Sequence, residues 1–596
     1  MTTHMAKIRR LPLAWITVWV VGGFIFVYGF GSALCLPPSL IDDPQVEWFA
    51  RKIASHWKQG NLLEALRDEI GLSAGQLNPT ALRHWIVVRT LTNHNTPALH
   101  LEKLLRLVTV LALGTAIIAG YARKTSTRLR WGPLGALVFW GIFCLAETPG
   151  WTNLHGLRAN WFRLYCTDPL ALVFLAIGGW GLIRAIDTRE ATKARLWSVV
   201  SAASWWFATT CKPVYLATGA GFAWVVVVAL VLRHRHARLL LLVFTLASVI
   251  ALLTFGITGY AYGSPSSVRT YADAYYLDLK TVLKGWGWLR GFLKATFGIL
   301  PAVVLTMLAL RFAVMSWRHG VAIACWTMRS EVLWLLLGVT VSLAYLPWPH
   351  HLPRYQLVPT YALAILTGMG VVTWLQLVRR LRAAVAFVLG GVGVLAVVVS
   401  RADPLVVCAV LVSVFLLGRA KIAWPAASAL GMTAFAIAYL TISGVISREA
   451  FRIEYERGEH IDGEVVETCR NLIAEGQTVY LLGDWRREPF QNFALLLNRD
   501  SAKPAVIVVE PTKLTAQRGI VVWPTHMTKI KGTLNFPTGL ELLKHVRLPG
   551  RVVCALTLQE FCSSLLRWPP NPSVSTLKKL HREWFVYRLG SLQLER

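Results

Sequence analysis

The chain has 596 residues, of which 55% are hydrophobic and only 15% charged, and its mean hydropathy of +0.50 excludes an ordinary soluble globular protein. A formal charge of +30 would suit a nucleic-acid partner in a soluble protein. Here the basic residues fall in short segments between apolar runs, with no aromatic-basic platform, a pattern that fits a membrane surface and points away from nucleic acid.

A hydrocarbon layer of roughly 30 Å takes about 20 apolar residues per helix. The first such run, 11–36, follows Lys7, Arg9 and Arg10 and is too long for a signal-peptide core. It reads as a retained anchor with the N-terminus inside. Further spans are expected over 104–122, 131–146, 168–186, 196–211, 214–232, 239–260, 292–315, 332–346, 357–377, 383–399, 405–417 and 422–446. The total is about thirteen, which defines an α-helical polytopic membrane protein.

Alternate loops carry the Lys and Arg excess: around Arg123 and Lys124, then Arg184 to Arg195, Arg233 to Arg238, Arg311 to Arg329, Arg379 to Arg382, and Arg419 with Lys421. These loops are therefore expected on the N-terminal, cytoplasmic side, and an odd span count puts the tail from residue 447 outside. Three long outside loops result, 37–103, 147–167 and 261–291. Within the first, Trp48, Phe49, Ile53, Trp57, Leu62 and Leu66 approximate helical spacing. That stretch suits either an interfacial helix or a helix packed on the bundle or the tail.

The tail, 447–596, changes character to short apolar runs at 478–482, 505–509, 519–523 and 551–556, as expected of a small soluble α/β domain. The nine cysteines occur singly with no CxxC pair, which leaves no zinc-type ligand set. Two of Cys469, Cys554 and Cys562 could pair if the tail is extracytoplasmic.

Polar groups at membrane depth need a partner or a role, because a charge there costs several kcal/mol. Four places stand out, all on the outside face. Asp42 and Asp43 lie just beyond the first span. As neighbours they could supply a general base, or hold a divalent cation, and Asp before Pro44 also starts a helix. Asp168 opens a span as Thr167-Asp168-Pro169, a helix start as well as a site candidate. Lys212 interrupts an apolar hairpin at Cys211-Lys212-Pro213, where it could snorkel or hold a lipid phosphate. Arg354 offers a forked donor set in Pro353-Arg354-Tyr355; the preceding His350 and His351 are adjacent and so do not share a helix face for a metal.

Asp42-Asp43, the stretch Thr167-Asp168-Pro169-Leu170-Ala171, the hairpin Thr210-Cys211-Lys212-Pro213 and the segment from Arg354-Tyr355 to Pro359, in this order, resemble the GT-C glycosyltransferases. Within them the chain is most similar to the branch of lipid A aminoarabinose transferases and protein O-mannosyltransferases. That branch commonly has Asp-Glu where this chain has Asp42-Asp43, and adjacent Asp residues are also found among arabinofuranosyltransferases. The resemblance implies a catalytic membrane domain over 1–446, and an extracytoplasmic tail. It also implies a donor sugar (aminoarabinose, arabinofuranose, mannose or a relative) carried on a polyprenyl phosphate such as undecaprenyl phosphate. The acceptor would be lipid A, another envelope glycan or a protein such as a pilin, in a bacterial inner membrane. In that scheme Asp43 or Asp42 is the base and Asp168 orients a substrate or supports that base. Lys212, Arg354 and Tyr355 hold the donor phosphate, and the 261–291 loop with Tyr262, Arg269 and Tyr271 is a candidate lid. No cofactor is required, although a divalent cation on Asp42 and Asp43 fits the scheme. An O-antigen ligase or polymerase is the nearer rival; a lipid or solute transporter is the more distant one, since no repeated halves are visible.

Overall fold

The computed structural model describes residues 2–36, 43–65, 68, 79–92, 95–124, 131–146, 157–162, 167–261, 278–297, 300–348, 351–378, 457–484, 488–498, 505–510, 514, 518–525, 540–547 and 583–589. The N-terminal apolar run is helix α1 (Thr2–Phe30), followed by a 3-10 turn (Gly31–Cys35). After it come α2 (Asp43–Lys58), α3 (Pro79–Leu91), α4 (Thr96–Arg123), α5 (Gly132–Leu145) and the single turn α6 (Ala159–Phe162). The chain continues through α7 (Thr167–Asp187), α8 (Ala191–Cys211), α9 (Gly219–Val231), α10 (Ala237–Ala261), α11 (Leu279–Phe297), α12 (Leu300–His319), α13 (Val321–Thr327), α14 (Arg329–Ala344) and α15 (Leu357–Val378).

Seven helical stretches among the described residues are long and apolar enough to cross a membrane, or eight if α13 and α14, which meet at 80°, form one broken span. The expected spans from 11–36 to 357–377 coincide with helix, except that 292–315 straddles the end of α11 and the start of α12, where the candidate span is Leu300–His319; those at 383–399, 405–417 and 422–446 lie outside the described residues.

Two expectations change. The second half of the 261–291 loop is helix: α11 begins at Leu279 and buries Gly285, Leu289 and Phe292, spaced one helical turn apart, while Lys280, Lys284, Trp286 and Arg290 face outward. Its exposed Leu283 and Trp286 beside those cations give it the make-up of an interfacial helix. Likewise 311–329 is no loop. Arg311 belongs to α12, and its guanidinium pairs inside the bundle with Glu331 of α14, which is 1% exposed. A buried charge finds a buried counter-charge, and a sequence window cannot see that pairing.

Lipid tails are as apolar as leucine, so helices in a bilayer hold together by close packing and interhelical hydrogen bonds. This chain uses both. Gly135 of α5 meets Gly368 of α15 so closely that a Cβ on Gly135 would stand 2.6 Å from the Gly368 carbonyl oxygen, and one on Gly368 would stand 2.7 Å from that of Gly135. Helices α7 and α8 form a hairpin in which Ser201 Oγ donates to the Gly178 carbonyl at 2.7 Å.

The first long loop is folded onto the protein. Ala50 and Ile53 of α2 are buried with Trp85, Ile86 and Val88 of α3, and α2 also packs on the tail helix α17 (Glu488–Leu497). Of the two sequence alternatives for 46–66, packing prevails. The helix stops at Lys58 because Gly60, with φ of +75°, turns the chain, leaving Leu62 exposed.

The tail contains α16 (Arg457–Ala474), β1 (Val479–Leu482), α17, β2 (Val506–Val509), β3 (Gly519–Pro524), β4 (Leu540–Arg547) and β5 (Glu583–Leu589) in a mixed sheet of order β2-β1-β3-β5-β4. β1 is parallel to β2 and β3, and β5 is antiparallel to β3 and β4. Alternation sends Val479 and Leu481 into a core with Val465, Cys469, Phe490 and Phe493 of the two helices, while Tyr480 and Leu482 line the other face. Trp584 closes the core and donates from Nε1 to Asp462 Oδ1 at 2.8 Å. Strands β1 to β3 match the apolar runs in the sequence; the run at 551–556 lies outside the described residues, and β4 and β5 were not anticipated. Cys469 is a free thiol pushed up to about 12 by burial, so the disulfide expectation does not involve it; Cys554 and Cys562 lie outside the described residues.

Candidate functional site

The ends of α7, α8, α14 and the turn before α15 converge at one end of the bundle. Thr167-Asp168-Pro169 starts α7, since Pro169 has no N–H to leave unpaired in the first turn. Asp168 is 3% exposed. At the far side of the hairpin, Pro213 forces its predecessor out of the helical region. Lys212 accordingly adopts φ −162° and ψ 125°, α8 ends at Cys211, and a 3-10 turn (Pro213–Thr218) follows. This break turns the Lys212 side chain toward α7.

The two charges meet there. Lys212 Nζ stands 3.2 Å from each Asp168 oxygen, and the Tyr215 hydroxyl donates to Asp168 Oδ1. The same ammonium lies 4.5 Å from the ring centre of Tyr355 and 5.5 Å from that of Tyr345. Those two rings stack at 4.8 Å, 7° from parallel. Arg354 lies on the 3-10 turn Pro353–Gln356, its guanidinium carbon 5.3 Å from the Tyr355 ring centre. The Asn160 amide fixes this turn by donating to the Arg354 carbonyl at 2.8 Å.

Asp168, Lys212, Arg354 and Tyr355, far apart in sequence, are thus brought together. The arrangement places two cations on one aromatic ring, with a net single positive charge across Lys212, Arg354 and Asp168. Cations favour the ring face through its quadrupole, most strongly where water is scarce. An anionic group entering this recess would meet an ammonium already desolvated and oriented.

Asp43 opens α2, with its side chain outside the described residues; Asp42, Tyr262, Arg269 and Tyr271 are outside them altogether. The first-loop segment is nevertheless tied to this end, because Thr80 of α3 shares a 2.7 Å hydrogen bond with Thr210, two residues before Lys212. Among the described residues there is no group of three or more His, Cys, Asp or Glu suited to a metal.

Several site residues escaped sequence reading. Tyr215 lies three residues after Lys212, one turn of 3-10 helix, and that spacing was the available signal. Tyr345 looked like one more aromatic at a membrane interface. Lys103 and Arg158, each 1% exposed, lie at this same end, on the first turns of α4 and just before Asn160. Each falls in a polar stretch of the sequence, and only the folded chain shows it buried.

No family model matches the sequence, and no curated protein matches it. Two solved structures of ArnT from Cupriavidus metallidurans, one bound to undecaprenyl phosphate and one in the apo state, are similar to this chain. Each has a TM-score of 0.42 and 15% identity, over 86% of this chain and 93% of theirs.

Proposed function

We propose that the protein is a membrane glycosyltransferase of the GT-C type, which moves a sugar from a polyprenyl-phosphate donor to a hydroxyl acceptor. The observation that carries this reading is the placement of Lys212, held by the Asp168 carboxylate and the Tyr355 ring beside Arg354 where the helices end. In this reading a lipid-linked phosphate binds there while its prenyl chain remains in the bilayer.

In this reading the acceptor oxygen attacks the anomeric carbon from the side opposite the phosphate. The new C–O bond forms as the bond to the phosphate oxygen breaks, with inversion. The acceptor proton passes to Asp43 or Asp42, and the polyprenyl phosphate leaves with the bonding electron pair. Lys212 and Arg354 stabilise the charge that grows on that leaving group, the kind of interaction that contributes most when its donors are fixed beforehand. Asp168 and Tyr215 are positioning residues that hold the ammonium in place. The acceptor is lipid A, another envelope glycan or a protein, and the donor sugar is aminoarabinose, arabinofuranose, mannose or a relative. The catalytic domain occupies 1–446, and the tail, 447–596, faces the same side as the first loop.

The test is glycan transfer by membranes supplied with a panel of polyprenyl-phosphate sugars, comparing the natural chain with Asp42→Asn, Asp43→Asn and Lys212→Ala at matched expression. Loss of transfer in one Asn variant with donor binding retained, and weaker donor binding in Lys212→Ala, is the expected pattern. Absence of transfer from every donor, together with movement of a lipid or solute across the membrane, would replace this reading with a transporter.

A further inference from the structure

The helices that build the site also build a second recess at their other ends. Helix α7 has 21 residues, about 30 Å at 1.5 Å per residue, so its last residue, Asp187, lies one hydrocarbon thickness away from Asp168. Here the C-terminal turns of α4 and α7 meet the first turn of α14 around a cavity of about 230 Å³. Its lining combines Gly120, Trp180 and Trp334 with the cations Arg123, Lys124 and Arg184.

The charge here is in excess. Lys124 Nζ at 3.4 Å and Arg329 Nη2 at 2.5 Å converge on the single carboxylate of Asp187. Arg123 and Arg184 lie in the last turns of their own helices, where carbonyl ends favour cations, and that accounts for part of the surplus. It covers Lys124 as well, the C-cap of α4, but not Arg329, which opens α14 and crowds Lys124. Burial and the Arg329 guanidinium hold the Lys124 ammonium below the ordinary lysine range. The N-terminus of α14, with Ser330 lining the cavity, adds a further end that favours an anion. Inside, the Trp334 side chain forms part of the lining. A recess lined by both cations and apolar side chains suits an amphiphile whose anionic end stays at the membrane surface.

From these features we infer that the cavity is a binding site for the phosphate headgroup of an anionic phospholipid, on the membrane face opposite the Asp168–Lys212 site. The volume sets the class. Pockets that enclose a whole small molecule run to roughly 300–1,000 Å³, so this smaller cavity takes a headgroup and not a whole lipid, and the acyl chains lie along α4 and α7 in the bilayer. Tryptophans surround the position as expected at a headgroup boundary: Trp180 packs on Trp197 at 4.9 Å and lies under Arg184, and Trp326 lies under Arg329. The proposal does not depend on the transferase reading.

The test uses the full-length chain, purified and returned to lipid discs of phosphatidylcholine alone or with phosphatidylglycerol. Retained lipid is counted by native mass spectrometry, and thermal unfolding is followed in parallel. Phosphatidylglycerol is expected to survive delipidation as a discrete adduct and to raise Tm, with phosphatidylcholine doing neither. Lys124→Gln should weaken retention about tenfold, the effect of losing one charge-assisted contact. Gly120→Leu should abolish retention with all cations in place, since a Cβ there meets nothing within 4 Å and the larger side chain grows into the cavity. Equal retention of the two lipids, or full retention by both variants at native Tm, would overturn the proposal. Stabilisation by millimolar inorganic phosphate without lipid would overturn the lipid as its source.

Discussion

Helices α7 and α14 carry ionic clusters at both ends, and the two ends of the bundle are built differently. At one end the Asp168 side chain is 4% exposed and has Lys212 and Tyr215 as partners; at the other the Asp187 side chain is 30% exposed and is shared by Lys124 and Arg329. The first cluster fixes a position, since an ammonium held in a dry recess has nowhere else to go. The second leaves its surplus charge open to the surface. Carboxylates at the two ends of one helix therefore do different work, because what water reaches decides what an ion pair is worth.

Face alone does not explain the difference, because a third pair separates location from burial. Glu331, near the Asp187 end, is 1% exposed and receives the Arg311 guanidinium and the Tyr121 hydroxyl, the latter at 2.8 Å. If burial governs, Asp168→Ala and Glu331→Ala should each destabilise by about 3–5 kcal/mol, the cost of stranding a buried partner. Thermal unfolding of the purified chain in detergent measures both. Near-native stability for Glu331→Ala would show that position along the bilayer normal, not burial, sets the energies.

The next effect sharpens the role of the fixed end. Tyr215→Phe removes one hydrogen bond to an ionised carboxylate and leaves the ring in place, so the expected loss is about 1.5–3 kcal/mol. Because the Tyr215 hydroxyl steadies Lys212 through Asp168, transfer in the panel assay should fall mainly through a weaker hold on the donor, with KM rising more than kcat falls. Lys212→Arg extends the comparison. It keeps the charge but changes a compact ammonium for a planar fork in a slot bounded by two stacked rings, and it should lose transfer by about tenfold or more while unfolding within about 1 kcal/mol of the natural chain. Full transfer by Lys212→Arg would mean that charge alone is used.

How much of this was legible in the sequence follows the same division. The spans were readable because the bilayer requires long apolar runs, and Asp168, Lys212 and Arg354 were readable because each interrupts such a run beside a proline. Tyr215 and Tyr345 were not, since an aromatic at the end of a span looks alike whether it faces lipid or a buried ammonium. The buried Arg311 was misread as a loop cation because its partner, Glu331, comes 20 residues later and across a break between helices. In the tail, β1 to β3 showed as apolar runs. Strand β4, Leu-Glu-Leu-Leu-Lys-His-Val-Arg, did not, because its bulge between Leu542 and Lys544 destroys the alternation that marks a strand.

The smallest expected effect lies at the open end. Asp187→Asn removes the carboxylate shared by Lys124 and Arg329, and with 30% of that side chain exposed, solvent screens much of what the pairs gain. The loss should stay below about 1 kcal/mol and shrink further as salt rises. The substitution also frees both cations for an anion at the cavity, so its binding consequence runs opposite to its stability consequence. Stability in phosphatidylcholine should fall slightly, whereas the gain on adding phosphatidylglycerol should exceed that of the natural chain, because the two cations no longer share a carboxylate. Unfolding curves in the two lipids, recorded at low and high salt, separate these terms. A loss comparable to that of Asp168→Ala, unchanged by salt, would mean that Asp187 too is sealed from water and that the two ends of α7 are built alike.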